Sequence, residues 1–235
     1  MCIAIKRLVD IAFSLGLIVA LSPLLIIVIV ILRFTGEREV FYFQKRIGHN
    51  NKYFNIFKFA TMLKDSPNIG TGTITLRNDP RVTTVGKYLR MSKVNELPQL
   101  FNVLFGQMTL VGPRPFVDAT FAAYPQHVQD KIYDITPGLT GTGSIAYRDE
   151  EEIISNSDLP PAQCYEEQIA PHKGELELWY QTNRSLWLDF KLLLLTGLSV
   201  LMPGKRSLLY SVCPTAPRPT SVVEHVAAAP ASASE

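Results

Sequence analysis

Residues 11–32, IAFSLGLIVALSPLLIIVIVIL, carry no charge. A helix rises about 1.5 Å per residue, so about 20 apolar residues cross the hydrocarbon core of a bilayer, and this run is long enough. Its last part, LLIIVIVIL at 24–32, offers water no polar face, which argues against a core helix of a soluble protein. The run is too long for a secretory leader, and no small-residue cleavage site precedes Arg33. Ser22-Pro23 falls in its middle, where proline removes a backbone hydrogen bond and bends a helix. Lys6 and Arg7 flank one end and Arg33, Arg38, Lys45 and Arg46 the other; basic flanks tend to stay in the cytoplasm. A re-entrant anchor over 1–36, bent at the proline and returning to the same face, satisfies both ends and is favoured. A kinked span is the alternative.

The rest of the chain reads differently. Of the 235 residues 47% are apolar and 19% charged, and that average hides the segregation between the anchor and a mixed globular stretch over 37–202. A net charge of +2 gives no reason to expect a nucleic-acid partner. Cys2, Cys164 and Cys213 are far apart, which excludes a CxxC metal site and argues against a disulfide framework. A catalytic domain in a reducing cytoplasm fits. Residues 203–235 are rich in Pro, Ala, Ser and Thr and read as a disordered tail.

Within 37–202, VFYFQKRIG at 40–48 and YFNIFKFATM at 53–62 read as strands joined at His49-Asn50-Asn51, a β-hairpin. Residues 65–80 form a loop. Helical spacing runs from Val85 to Leu104, with Ser92 or Asn95 capping a helix that starts near Glu96. Gly112-Pro113-Arg114-Pro115 is a stiff turn, residues 118–133 a helix broken at Pro125, and Pro137-Gly138 a further turn. Residues 160–202 read as mostly helical; Trp179, Tyr180, Trp187 and Phe190 suit either a bilayer surface or a core face. The fold class expected is α+β: helices around a short β-hairpin, a re-entrant membrane helix and interfacial amphipathic helices.

Four charged clusters lie in turn-forming sequence: Gln44-Lys45-Arg46, Asn78-Asp79-Pro80-Arg81, Arg90 with Lys93, Asn95 and Glu96, and the turn that carries Arg114. Guanidinium offers a planar fork of donors to two phosphate oxygens, and a glutamate among such arginines can hold Mg²⁺. Taken singly, each arginine reads equally as a solvated surface residue, and Glu96 as a helix-start carboxylate favoured by the dipole.

Seven stretches, in order, carry a resemblance. They are KRLVDIAFSLGLIVALSPLLI at 6–26, FQKRIG at 43–48, FKFATM at 57–62, NDPRVTTVGKYLR at 78–90, NELPQLFNVLFGQMTLVGPRP at 95–115, PGLTG at 137–141 and SLWLDFKLL at 185–193. Together they resemble the bacterial sugar transferases, monotopic polyprenyl-phosphate phosphoglycosyl transferases that begin capsule, O-antigen and exopolysaccharide synthesis. The resemblance implies transfer of a sugar 1-phosphate from a UDP-sugar to undecaprenyl phosphate, with release of UMP, a need for Mg²⁺, contact with membrane lipid, and a place at the cytoplasmic face of the bacterial inner membrane. It assigns Glu96 to Mg²⁺, Arg90 and Arg114 to phosphates, and Lys58 and Arg81 to the polar pocket. Arg46 is placed near a lipid phosphate, and Asp189 is carried over from the family's LD-x-K stretch. Arg148, Asp149 and Glu150, from AYRDEE at 146–151, complete the candidate substrate contacts. The Leu-rich helix near 192–202 leaves a second copy open as a partner.

The family's nucleophile is an Asp immediately before the Glu. Here that position is Asn95, and an uncharged amide is a poor nucleophile. Three readings follow. The lipid phosphate attacks the sugar nucleotide directly while Asn95 orients substrate; or Asp149, Glu150 or Glu151 supplies the attack; or the chain is an inactive membrane scaffold binding sugar nucleotide or a partner transferase. Ala60 and Thr136 also replace residues that are commonly basic in the family. The first reading is favoured.

Overall fold

The computed structural model describes residues 3–66, 79–201 and 207–219. The apolar run is the body of α1 (Ile3–Phe34), a helix with Pro23 inside it. Pro23 cannot donate to the Val19 carbonyl four residues back, and the Ser22 hydroxyl takes that carbonyl instead at 2.8 Å. The Ser-Pro pair thus interrupts the hydrogen-bond ladder without stranding an acceptor.

Both halves of α1 lie against the rest of the chain. In the first half Asp10 accepts the Thr109 hydroxyl at 2.5 Å and the Leu110 amide at 3.2 Å, while Leu17 and Ile18 pack on the main core. In the second half Leu25, Val28 and Leu32 form a smaller cluster with Phe59 and Leu89. The remaining surface of α1 is bare: Leu8, Val19 and Ile26 are 69%, 65% and 60% exposed. Among the described residues α1 is the one helix long and apolar enough to cross a membrane.

Alternating large side chains build β1 (Phe41–Ile47) and β2 (Tyr53–Phe59), an antiparallel hairpin in which Phe41 pairs with Phe59 and Ile47 with Tyr53. Asn50 and Asn51 take positive φ at the turn, a conformation asparagine tolerates better than most residues. The sequence therefore located the hairpin correctly.

The next segment differs from expectation. α2 (Thr84–Met91) starts with the Thr83 hydroxyl accepting the Gly86 amide at 3.0 Å, and Ser92 ends it rather than capping a new helix. Lys93 turns left-handed at φ 59, Val94–Glu96 make one tight 3-10 turn, and α3 (Gln99–Leu104) begins after Pro98. The expected helix start near Glu96 is therefore corrected. A left-handed residue breaks the helix before it, and Pro98, with no N–H to give, fits at the beginning of the one that follows. The last carbonyls of α3 are capped from α1, with Arg7 donating to Val103 and Leu104 at 2.6 and 2.8 Å.

β3 (Thr109–Val111) pairs in parallel with β4 (Gly138–Thr140), a pairing the sequence reading, with its turns at 112–115 and 137–138, does not contain. Between them lie α4 (Asp118–Ala122) and α5 (Gln126–Gln129), separated at Pro125 as the spacing predicts. The chain continues through α6 (Thr142–Ala146), α7 (Glu150–Ser155), α8 (Pro161–Cys164), a wide turn at Tyr165–Ile169, α9 (Ala170–Asn183) and α10 (Leu186–Leu201). Leu100, Val103, Met108, Val128, Ile132, Ile169, Leu176 and Leu192 centre the core. α10 leaves Trp187, Phe190 and Leu194 exposed, the two rings stacked 5.6 Å apart.

The reading of 203–235 as tail needs correction in its first part. α11 (Ser207–Val212) packs there, with Leu209, Cys213 and Ala216 buried in the main core. An apolar stripe of a few residues was hidden by the Pro, Ala and Ser average around it. Residues 202–206 and 220–235, and most of the expected loop at 65–80, lie outside the described residues.

Candidate active site

Residues far apart in sequence converge on one carboxylate. Alternation in the hairpin sends residues 42, 44 and 46 of β1 and their partners 58, 56 and 54 of β2 to one side, so Arg46 and Lys58 leave the same face. The turn after β3 presents Arg114, and the 3-10 turn before α3 presents Glu96. Arg114 grips Glu96 with both guanidinium nitrogens, Nη2 to Oε1 at 2.6 Å and Nη1 to Oε2 at 3.3 Å. Lys58 Nζ donates to the same Oε1 at 3.0 Å. Arg46 is held alongside by the Gln44 side-chain oxygen and by the Pro115 carbonyl, 3.2 Å away.

Charge and burial compete here. Burial would raise the Glu96 carboxyl, but Arg114 and then Lys58 outweigh it and hold it well below the usual range. Burial pulls Lys58 down to about 7; Glu96 opposes that fall, and Arg114 and Arg46 add to it. Burial, then Arg114, lowers Arg46 to about 10. Lys93, on the exposed rim of the cluster, is lowered by partial desolvation against the pull of Glu96. Arg114, Arg46 and a partly protonated Lys58 around one carboxylate leave a local excess of positive charge, which suits an anion such as a diphosphate.

The other candidate residues divide. Arg90 pairs with Glu151 at 2.5 Å, and Glu150 pairs with Lys173. Arg148 lies 4.0 Å from Asp149 and donates to the Ser199 hydroxyl at 3.5 Å. This segment borders the cluster, since the Arg114 guanidinium feels Glu150 and the Lys93 ammonium feels Glu151 and Arg148. Arg81 is instead locked to Asp79, with Nη2 to Oδ2 at 2.6 Å, and to the Ser66 carbonyl. Asp189, carried over from the LD-x-K stretch, lies apart from the Glu96 contacts. It is buried, and accepts from Lys6 at 2.6 Å and from the Tyr180 hydroxyl at 2.5 Å, tying α10 to α1 and α9. Asn95 is buried, and its side-chain oxygen has no hydrogen-bond partner among the described residues.

Sequence reasoning missed Lys173 and Glu177. Both lie on the buried stripe of α9 with Ala170, Leu176 and Tyr180. The available signal was a lysine and a glutamate four residues apart on an otherwise apolar helix face.

Comparison with known proteins identifies a family. The model of the family described as "Bacterial sugar transferase" matches residues 1–203. The undecaprenyl-phosphate glucose phosphotransferase of Komagataeibacter xylinus is 37% identical over 196 residues, covering 81% of this chain and 35% of that protein. The exopolysaccharide production protein ExoY of Sinorhizobium fredii is 35% identical over 159 residues, 62% of this chain and 70% of the relative. The uncharacterized sugar transferase EpsL of Bacillus subtilis is 33% identical over 198 residues, 84% of this chain and 88% of the relative. The chain spans little more than a third of the K. xylinus protein, and 39% of a Klebsiella pneumoniae relative named as a UDP-glucose:undecaprenyl-phosphate glucose-1-phosphate transferase. With the match extending from α1 through α10, this chain belongs to the bacterial sugar transferase family.

Proposed function

We propose that this chain transfers a sugar 1-phosphate from a UDP-sugar to undecaprenyl phosphate, giving undecaprenyl-diphosphate-sugar and UMP at the cytoplasmic face of the inner membrane. The observation that carries this reading is the doubly held Glu96. Arg114 and Lys58 meet at its carboxylate and Arg46 stands beside them, a layout matched to the four non-bridging oxygens of a diphosphate. The names of the relatives point the same way.

In this reading Arg114 and Arg46 orient the diphosphate so that the β-phosphorus faces the incoming lipid phosphate, and Lys58 neutralises charge that builds on the leaving UMP. Asn95 orients substrate through its unpartnered side-chain oxygen, and the lipid phosphate attacks directly. Mg²⁺ fits the donor set. Glu96 is an ionised oxygen ligand, and Mg²⁺ commonly takes one or two carboxylates and completes its shell with phosphate oxygens and water. Glu96 would hold the ion by exchanging one of its present cationic partners; when bound, Mg²⁺ neutralises diphosphate charge.

The monotopic placement rests on α1. Both of its halves pack on the same domain while its other surface stays bare, which suits a helix that enters the bilayer and returns better than one that leads away across it. Exposed Trp187 and Phe190 on α10 suit the interface. Asn95 also favours a second reading, a scaffold that binds sugar nucleotide without turnover. Full-length chain reconstituted with undecaprenyl phosphate, Mg²⁺ and a panel of UDP-sugars decides between them. UMP release with at least one donor supports the transferase; donor binding without release from any of them supports the scaffold.

A further inference from the structure

The first turns of α1 carry Lys6, Arg7, Asp10 and Ser14 among apolar residues. Arg7, Asp10 and Ser14 recur at spacings of three and four, so they share one face of the helix. That face is turned to the domain: Asp10 is 4% exposed and Ser14 fully buried. A carboxylate is costly to bury unless it is bonded, so its partners indicate what it holds.

Those partners belong to β3. Thr109 and Val111 are in register with β4, so the Leu110 amide between them points to the other edge of the strand. Among the described residues no strand covers that edge, and a buried amide there needs an acceptor. Asp10 supplies it: Oδ1 takes the Leu110 amide at 3.2 Å, and Oδ2 takes the Thr109 hydroxyl at 2.5 Å. Four residues past Leu110 the chain presents Arg114. The residues between are pinned from the β4 side, the Gly112 amide to the Thr140 carbonyl and the Pro113 carbonyl to the Gly138 amide. About one helical turn before Asp10, Arg7 holds the end of α3 through the Val103 and Leu104 carbonyls. The other end of α3 follows Glu96 by way of Leu97 and Pro98. One short stretch of α1 therefore grips both the helix behind Glu96 and the strand behind Arg114.

We propose that Asp10 is a positioning residue that, with Arg7, sets the spacing between Glu96 and Arg114 from within the apolar helix. This rests on the reading of the Arg114–Glu96 cluster as the donor site. Asp10 touches no substrate; it acts on Arg114 through β3, which makes α1 part of the frame of the site. The Leu110 amide needs an oxygen, whereas the Thr109 hydroxyl can donate or accept, so asparagine serves both partners. Leucine, of the same branched shape, serves neither.

The experiment measures UDP binding with Mg²⁺, per folded protein, and UMP release from a panel of UDP-sugars for the full chain in lipid nanodiscs. It uses Asp10→Asn, Asp10→Leu and Thr109→Val, each with Arg114 and in an Arg114→Ala background. With Arg114 present, Asp10→Leu should weaken UDP binding about tenfold, Thr109→Val about fivefold and Asp10→Asn less than about twofold. With Arg114 replaced by alanine, each should add less than about twofold, because the side chain they position is gone. Should Asp10→Leu fail to fold, Thr109→Val removes a single bond and carries the comparison. A merely structural Asp10 would lower the melting temperature while the folded fraction binds UDP as before, or would cost the same in both backgrounds. Either result, or Asp10→Asn losing as much as Asp10→Leu, overturns the proposal. The reading beneath it has its own controls: Arg114→Ala alone leaving UDP binding intact would overturn the donor site, and a wild-type chain that releases no UMP from any donor would overturn the transferase.

Discussion

Arg114 and Glu96 meet as a two-pronged pair, 2.6 and 3.3 Å between nitrogens and oxygens, although a helix and a strand separate them in the chain. Lys58 shares one of those oxygens, so three donors hold the carboxylate before any substrate arrives. A diphosphate entering the cluster competes for cations that are already aligned, and alignment in advance lowers the cost of organising a transition state.

Replacing the fork tests this. Arg114→Lys keeps the charge and loses the planar pair of donors, so turnover should fall by about 10²-fold while the protein stays folded. UMP release together with a thermal melt checks both halves. Activity within a few-fold of wild type would show that charge alone suffices.

Asp189 should matter for stability and not for donor binding. Its carboxylate is buried between Lys6 and Tyr180, and removing one partner of a buried pair leaves a charge uncompensated. Asp189→Ala should cost about 3–5 kcal/mol, read as a lower melting temperature, with UDP affinity unchanged. A loss of affinity without a loss of stability would return Asp189 to the substrate site.

Burial raises Glu177 to about 7, from an ordinary value of 4.5. The folded chain then holds a proton that the unfolded chain has released between those pH values, so this group's stabilisation is complete below about 4.5 and is lost as pH rises through about 7. Thermal melts of wild type minus Glu177→Gln across pH 4–8 should show that decline, on the order of 3 kcal/mol in all. A flat difference would contradict it.

Asn95→Asp places a carboxylate where the side-chain oxygen now lacks a partner. The account expects intact-mass spectrometry to find a phosphosugar adduct on that variant and none on the wild type. An adduct on the wild type would show that another carboxylate of the chain attacks, and direct attack by the lipid would be withdrawn.

Legibility in the sequence followed the range of the interaction. The hairpin was readable because alternation at 41–47 and 53–59 is a local pattern, and the break at Pro125 because proline acts on its own backbone. The parallel pairing of Thr109–Val111 with Gly138–Thr140 was not, since three-residue strands carry no periodicity and their partnership spans two intervening helices. Charge clusters announced Arg46, Arg114 and Glu96 but not their convergence, which the hairpin face and the 112–115 turn create together. Arg81 and Asp189 were legible as charged positions, but the buried pairs they form with Asp79 and Lys6 were not.

The most direct measurement follows the phosphorus. Full-length chain in vesicles with undecaprenyl phosphate and Mg²⁺ is given a panel of UDP-sugars, each labelled with ³²P at the β-position, and the products are split between lipid and water. The account predicts that label moves into the lipid while unlabelled UMP appears, and that Glu96→Gln abolishes both. Label that leaves as UDP, with only the sugar reaching the lipid, would contradict it.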